Sequence, residues 1–183
     1  MQQDETSQRD ATNPGPLLAP AALDVWLRER LGRQMVVAVV AAGAQPESAL
    51  ARIEQGVGRY GEVRLLGRIV TLDRDDAQLA ALIAALAPLD PDAMLIVSTT
   101  ITDATRQWDV RALAACERAG LRDRAFVALL APGEGMRAQA RALGFEDGFA
   151  LDVPLATLLA ALAREAVAHD ELHQRGSSPP CYL

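Results

Sequence analysis

Asp92-Ala-Met-Leu-Ile-Val-Ser-Thr-Thr-Ile-Thr-Asp103 is the stretch on which the fold turns. Residues 93–97 are all apolar and the run closes on Ser98 and Thr99, so the strand they predict has both faces covered. Leu89-Asp-Pro-Asp92 just ahead of it stops a helix. Beyond it, Ser98-Thr-Thr-Ile-Thr-Asp103 is a hydroxyl-rich loop leading to a helix predicted over 108–119. A short apolar strand held between two helices is the repeating unit of a parallel sheet.

The unit recurs on both sides. Apolar runs at 35–42, 63–71, 125–131 and, more weakly, 148–151 alternate with helical stretches at 46–60, 75–86, 135–143 and 155–169. Five strands alternating with five helices predict an α/β fold with a five-stranded, parallel, doubly wound sheet of flavodoxin-like or Rossmann-like form. Gly61, Gly120 and Gly144 each follow a helical stretch, where a left-handed cap is wanted. With strand order 2-1-3-4-5 the chain reverses between the first and third strands, and ligands bind beyond the carboxyl ends there. That rule selects two loops, Ala41-Ala-Gly-Ala-Gln-Pro46 and Ser98 to Asp103. Their hydroxyls suit a phosphate, an amide or a base edge; equally, they suit capping of the next helix.

Ahead of the alternation, Leu23, Trp26, Leu27 and Arg30 fall at helical spacing, Pro20 suits a first turn and Gly32 a stop, which predicts a helix over 20–31. Residues 17–174 are expected as one domain. Residues 1–16 offer almost nothing to bury and read as a disordered tail, and Gly-Ser-Ser-Pro-Pro within 175–183 reads as a second loose tail.

Composition narrows the chemistry. The chain has 183 residues, half of them hydrophobic, and a formal charge of −6. All 18 basic residues are arginine, which removes a P-loop lysine, a Schiff-base lysine and a lysine base. With that charge and no cluster of arginines and aromatics, no nucleic-acid partner is expected. No apolar run approaches the ~20 residues of a membrane helix and the polar start is unlike a signal peptide, so no membrane association and a cytoplasmic location are expected. Cys116 and Cys181 have no companion spaced for zinc and are expected to be reduced and free.

Other constellations weigh toward structure. His169 and His173, at i and i+4 with Glu165 nearby, supply at most half a metal site, and no metal is expected. Asp73-Arg-Asp-Asp76 precedes a helix, where carboxylates cap open N–H groups. Gly43 stands alone where a dinucleotide loop needs three glycines, and no histidine before His169 could serve Ser98 as a base. Trp108 is either an anchor for a partner or a first-turn residue packed on the sheet.

One family resemblance is specific. The stretch from Asp92 to Asp103, Ala119-Gly-Leu-Arg-Asp-Arg124, and Ala142-Leu-Gly-Phe-Glu-Asp-Gly-Phe149 resemble the second half of cobalamin-binding domains. These are the Rossmann-like modules of lysine and ornithine aminomutases and of corrinoid carrier proteins; the similarity covers about residues 35–168. In that family a serine after the third strand lies against the lower-ligand tail of the corrin, and Ser98 matches it. Two hallmarks depart. The Asp-x-His-x-x-Gly motif falls on Ala44-Gln-Pro-Glu-Ser-Ala49, which puts Pro46 in place of the cobalt-ligating histidine. The Gly-Gly pair that leaves room for the nucleotide tail falls on Leu129-Leu130, side chains that fill such a channel.

The resemblance therefore implies a degenerate cobalamin-binding-like module that is not an autonomous enzyme and acts as an accessory subunit with a protein partner, with no cofactor expected. Its alternative is a working corrinoid carrier or mutase subunit that binds cobalamin without a histidine ligand, through Gly43, Ser98, Thr100 and Thr102.

Overall fold

The computed structural model describes residues 19–176. The tail expected at 1–16, Cys181 and everything past residue 176 lie outside the described residues.

Strands β1 (Met35–Ala42), β2 (Val63–Ile69), β3 (Ala93–Ser98), β4 (Phe126–Ala131) and β5 (Asp147–Ala150) form one parallel sheet in the order β2-β1-β3-β4-β5. Around it stand α1 (Pro20–Leu31), α2 (Pro46–Val57), α3 (Asp76–Leu86), α4 (Asp103–Arg118), α5 (Met136–Leu143) and α6 (Leu155–Gly176). The fold is thus α/β and Rossmann-like, with the strand order read from the sequence.

Alternation along the strands divides the interior into two cores. Met35, Val37, Val39 and Ala41 of β1 pack with Leu23 and Leu27 of α1, Ile53 of α2 and Leu158 and Leu162 of α6. Ala38, Val40 and Ala42 face the other way, onto Leu79 and Ile83 of α3, Trp108 and Cys116 of α4, and Met136 of α5. With both faces covered, β1 and β4 can be wholly apolar and β3 apolar up to its last residue, Ser98, which is why their runs lack polar alternation.

Local chemistry sets the boundaries. Pro20 and Pro46 each start a helix where their missing N–H costs nothing, and Gly32 ends α1 in the left-handed region. Asp75 caps α3 by accepting from the Gln78 N–H at 2.7 Å, as expected for that acidic stretch.

Three expectations need correction. Helix α4 begins at Asp103 rather than 108, because Thr102 and Thr105 form a reciprocal capping box that starts it early. Gly61 is not a left-handed cap: α2 stops at Val57, and the Gly61 N–H is donated to Asp24 Oδ2 at 2.8 Å, whereas Gly120 and Gly144 do adopt positive φ. Helix α6 runs on to Gly176, past its expected end at 169.

Candidate functional site

The two loops selected by the strand order do meet. The Thr99 N–H donates to the Ala42 carbonyl at 3.0 Å, and its hydroxyl donates to the Ala44 carbonyl at 2.7 Å, so β3 holds the β1–α2 loop in place. Gly43 has φ +115, and a Cβ on it would stand 2.4 Å from Thr99 Oγ1. Close approach of protein to protein, at a backbone conformation that L side chains avoid, accounts for this glycine.

The hydroxyls are committed to the fold in the same way. Ser98 is buried, and its Oγ donates to Asp109 Oδ1 on α4 at 2.5 Å. Burial pushes the Asp109 carboxyl up to about 6, while the bond from Ser98 opposes the shift. Thr102 caps α4, and Thr105 Oγ1 accepts from the Thr102 N–H at 2.8 Å. Thr100 is half-buried beside a cavity of about 30 Å³ that Asp109 also lines, a volume comparable to one water.

Sequence reasoning missed Asp109, Thr99 and Thr105. A signal for Asp109 existed: Thr105, Trp108, Asp109, Ala112 and Cys116 recur at helical spacing and are all buried, which puts the carboxylate on the apolar side of α4. Trp108 itself is fully buried in the α3–α4–α5 core, so its role is packing and it offers no anchor to a partner.

The departures from the family pattern acquire a geometry. Pro46 is buried at the first turn of α2. Leu129 and Leu130 point to opposite faces: Leu129 joins the core under α4 and α5, and Leu130 joins the core under α2 and α6. Only Leu130 borders the space between α2 and α6, where a cavity of about 220 Å³ is left with Ile53, Leu155 and Leu158. Leu155 narrows that space further, since its Cδ2 lies where a Cβ on Gly56 would be, 1.8 Å away. The opening is smaller than the ~300 Å³ at which pockets begin to enclose a drug-sized molecule.

Elsewhere, His169 Nε2 stands 3.6 Å from Glu146 Oε2; the His173 side chain lies outside the description. Burial pushes Glu146 up to about 7, opposed by the Arg122 charge. Cys116 is buried and free, and burial pushes its thiol up to about 12, far from a nucleophile's range. Among the described residues no group of three His, Cys, Asp or Glu side chains could hold a metal ion, and no helix is long and apolar enough to cross a membrane.

No protein-family model matches the sequence, and no curated protein matches it. Among solved structures the chain is similar to a cobalamin-binding protein from Desulfitobacterium hafniense DCB-2, at 9% identity and a TM-score of 0.44 over 89% of this chain and 70% of that one. It is similar to the same degree to an ABC transporter permease from the Pseudomonas fluorescens group, at 13% identity and a TM-score of 0.44 over 93% of this chain and 47% of the other. Two such different molecules at so low a similarity fix no activity for this one.

Proposed function

We propose that the chain is a cobalamin-binding-domain-like module that has given up the cofactor and works as a non-catalytic accessory subunit, through contact with another protein. The observation that carries this reading is Leu130: buried at the end of β4, with Leu155 against Gly56, it fills the side of the sheet on which a nucleotide tail would have to enter. Support also comes from the residues that the family pattern nominated for contact. Ser98 is tied to Asp109, Thr102 is a helix cap and Gly43 faces Thr99, so three of the four candidates are engaged by the protein itself.

The test is a titration of the purified chain with hydroxocobalamin, followed by the corrin absorbance and by equilibrium dialysis. The expected result is no saturable binding in the micromolar range. Tight, stoichiometric binding overturns the reading and makes the chain a working corrinoid carrier with an unligated lower face.

A further inference from the structure

Strand β2 lies at the edge of the sheet, with β1 as its one strand partner among the described residues. The Met35 N–H donates to the Glu62 carbonyl at 2.8 Å and the Val70 N–H to the Ala41 carbonyl at 2.9 Å, which fixes the phase of the parallel ladder between them. In that phase the even-numbered residues of β2 bond to β1, and the N–H and C=O groups of Leu65, Gly67 and Ile69 point outward. Among the described residues the one group that reaches them is Arg68, whose guanidinium donates back to the Gly67 carbonyl at 2.7 Å. A row of unspent backbone donors and acceptors is a template for one more strand.

The two faces of this edge differ in charge. Leu65 and Gly67 face α2, where Glu54 Oε1 lies 3.2 Å from the place a Cβ on Gly67 would take. Arg64, Leu66 and Arg68 alternate onto the α3 face. There a groove of about 480 Å³ runs between β2 and α3, with Arg68, Arg74 and Gln78 along it, Leu82 and Ala85 within it, and no described carboxylate in its lining. Among the described residues neither Arg64 nor Arg68 stands in an ion pair, whereas Arg28, Arg33, Arg111 and Arg122 each do. In a chain of formal charge −6, cations left unpaired along one face of an open edge call for acidic side chains.

We propose that β2 receives an extended acidic segment of a partner protein as an added strand, its backbone on Leu65, Gly67 and Ile69 and its acidic side chains, at i and i+4, on Arg64 and Arg68. Arg68 turns from the Gly67 carbonyl to the incoming carboxylate, and an apolar side chain between the two acids covers Leu66. A second copy of this chain is a poorer occupant, because pairing β2 with its own copy sets Arg64 and Arg68 beside the same arginines. Nucleic acid offers the edge no amides and meets a net negative charge. The inference rests on the reading of the chain as a module that works through another protein, and it names that partner's chemistry.

The test is a fluorescence-anisotropy titration of labelled peptides with the full chain. The acidic probe is Thr-Glu-Thr-Val-Thr-Glu-Thr with blocked ends, and its counterpart carries lysine in place of both glutamates. Saturable binding of the acidic peptide alone is expected, weakened about tenfold by Arg64→Gln combined with Arg68→Gln, which is what two exposed ion pairs are worth. Two further probes are the acidic peptide N-methylated at its odd or at its even residues. One set is expected to abolish binding and the other to spare it, since only alternate amides face an edge. These probes leave the protein untouched, so they decide the matter even where urea titration shows the double variant unfolded. No saturable binding, equal binding of the lysine peptide, indifference to both N-methylated sets, or indifference to the double substitution in a folded variant each overturns the proposal. So does a dimer, seen in sedimentation, that competes with the peptide, or tighter binding of heptauridylate. The hydroxocobalamin titration separates the two failures: a chain that binds neither peptide nor corrin loses only this inference, and one that binds the corrin tightly loses the earlier reading.

Discussion

Ser98 Oγ and Asp109 Oδ1 lie 2.5 Å apart in a part of the core where both side chains are buried, joining the end of β3 to the second turn of α4. The carboxyl is raised from 3.8 to about 6, so the folded state holds its proton more tightly than the unfolded chain does. Its contribution to stability is therefore full below about pH 4 and is lost as pH rises through about 6, a change on the order of 3 kcal/mol. Asp109→Asn removes the titration while keeping the shape and an acceptor for Ser98. We expect it to match the parent near pH 4 and to exceed it at pH 8, in urea unfolding at both values. Asp109→Ala leaves the Ser98 hydroxyl unpaired and is expected to be less stable than Asp109→Asn at either pH.

Glu146 titrates in a second place on the same principle. Burial raises it to about 7, Arg122 holds it down and Glu165 pushes it up. Removing the Arg122 charge should therefore move the midpoint higher, and removing the Glu165 charge should move it lower. Carboxyl carbon shifts followed by NMR across pH 5 to 9 in Arg122→Gln and Glu165→Gln report both directions; a midpoint that falls in Arg122→Gln refutes the assignment.

Two glycines should answer very differently to alanine. A Cβ on Gly148 would stand 2.4 Å from the Met136 carbonyl oxygen and 2.4 Å from Ala140 Cβ, and a helix backbone cannot step aside. Gly148→Ala is expected to cost about 2 kcal/mol or more by forcing α5 off β5. At Gly56 the obstacle is the end of the half-buried Leu155 side chain, which can turn, while alanine improves helix propensity. Gly56→Ala should thus stay within about 1 kcal/mol of the parent. Urea midpoints decide; a larger loss at Gly56 than at Gly148 contradicts the contact geometry.

What the sequence made legible follows from range. Residues 35–42 and 93–97 are apolar on both parities, so the parallel sheet and its two covers were readable from a few consecutive positions. Thr102 was ambiguous by nature, because a hydroxyl at a strand end serves a ligand or a helix with the same lone pairs; the spacing to Thr105 favours the cap only once α4 is seen to begin at Asp103. The contacts of Gly56 with Leu155 and of Gly43 with Thr99 join residues far apart in the chain, and no local pattern announces them. Leu129 and Leu130 were readable one step further than the family comparison takes them, since strand alternation alone sends neighbours to opposite faces.

That alternation sharpens the test of the closed channel. A lower histidine would contribute one coordinate bond, whereas a nucleotide tail needs extensive buried contact, so space limits affinity before ligation does. Only Leu130 borders the 220 Å³ cavity between α2 and α6; Leu129 fills the opposite core. Leu130→Gly should enlarge that cavity and raise hydroxocobalamin affinity measurably, at a stability cost of about 2–5 kcal/mol. Leu129→Gly should carry a similar cost with no gain in affinity, which controls for loosening of the core. Pro46→His alone should change almost nothing, because a ligand cannot reach cobalt that does not enter. Equilibrium dialysis of the three variants, each checked for folding by urea titration, separates these cases. A gain from Leu129→Gly equal to that from Leu130→Gly would show that any softening admits the corrin, and a large gain from Pro46→His would show that the channel was open from the start.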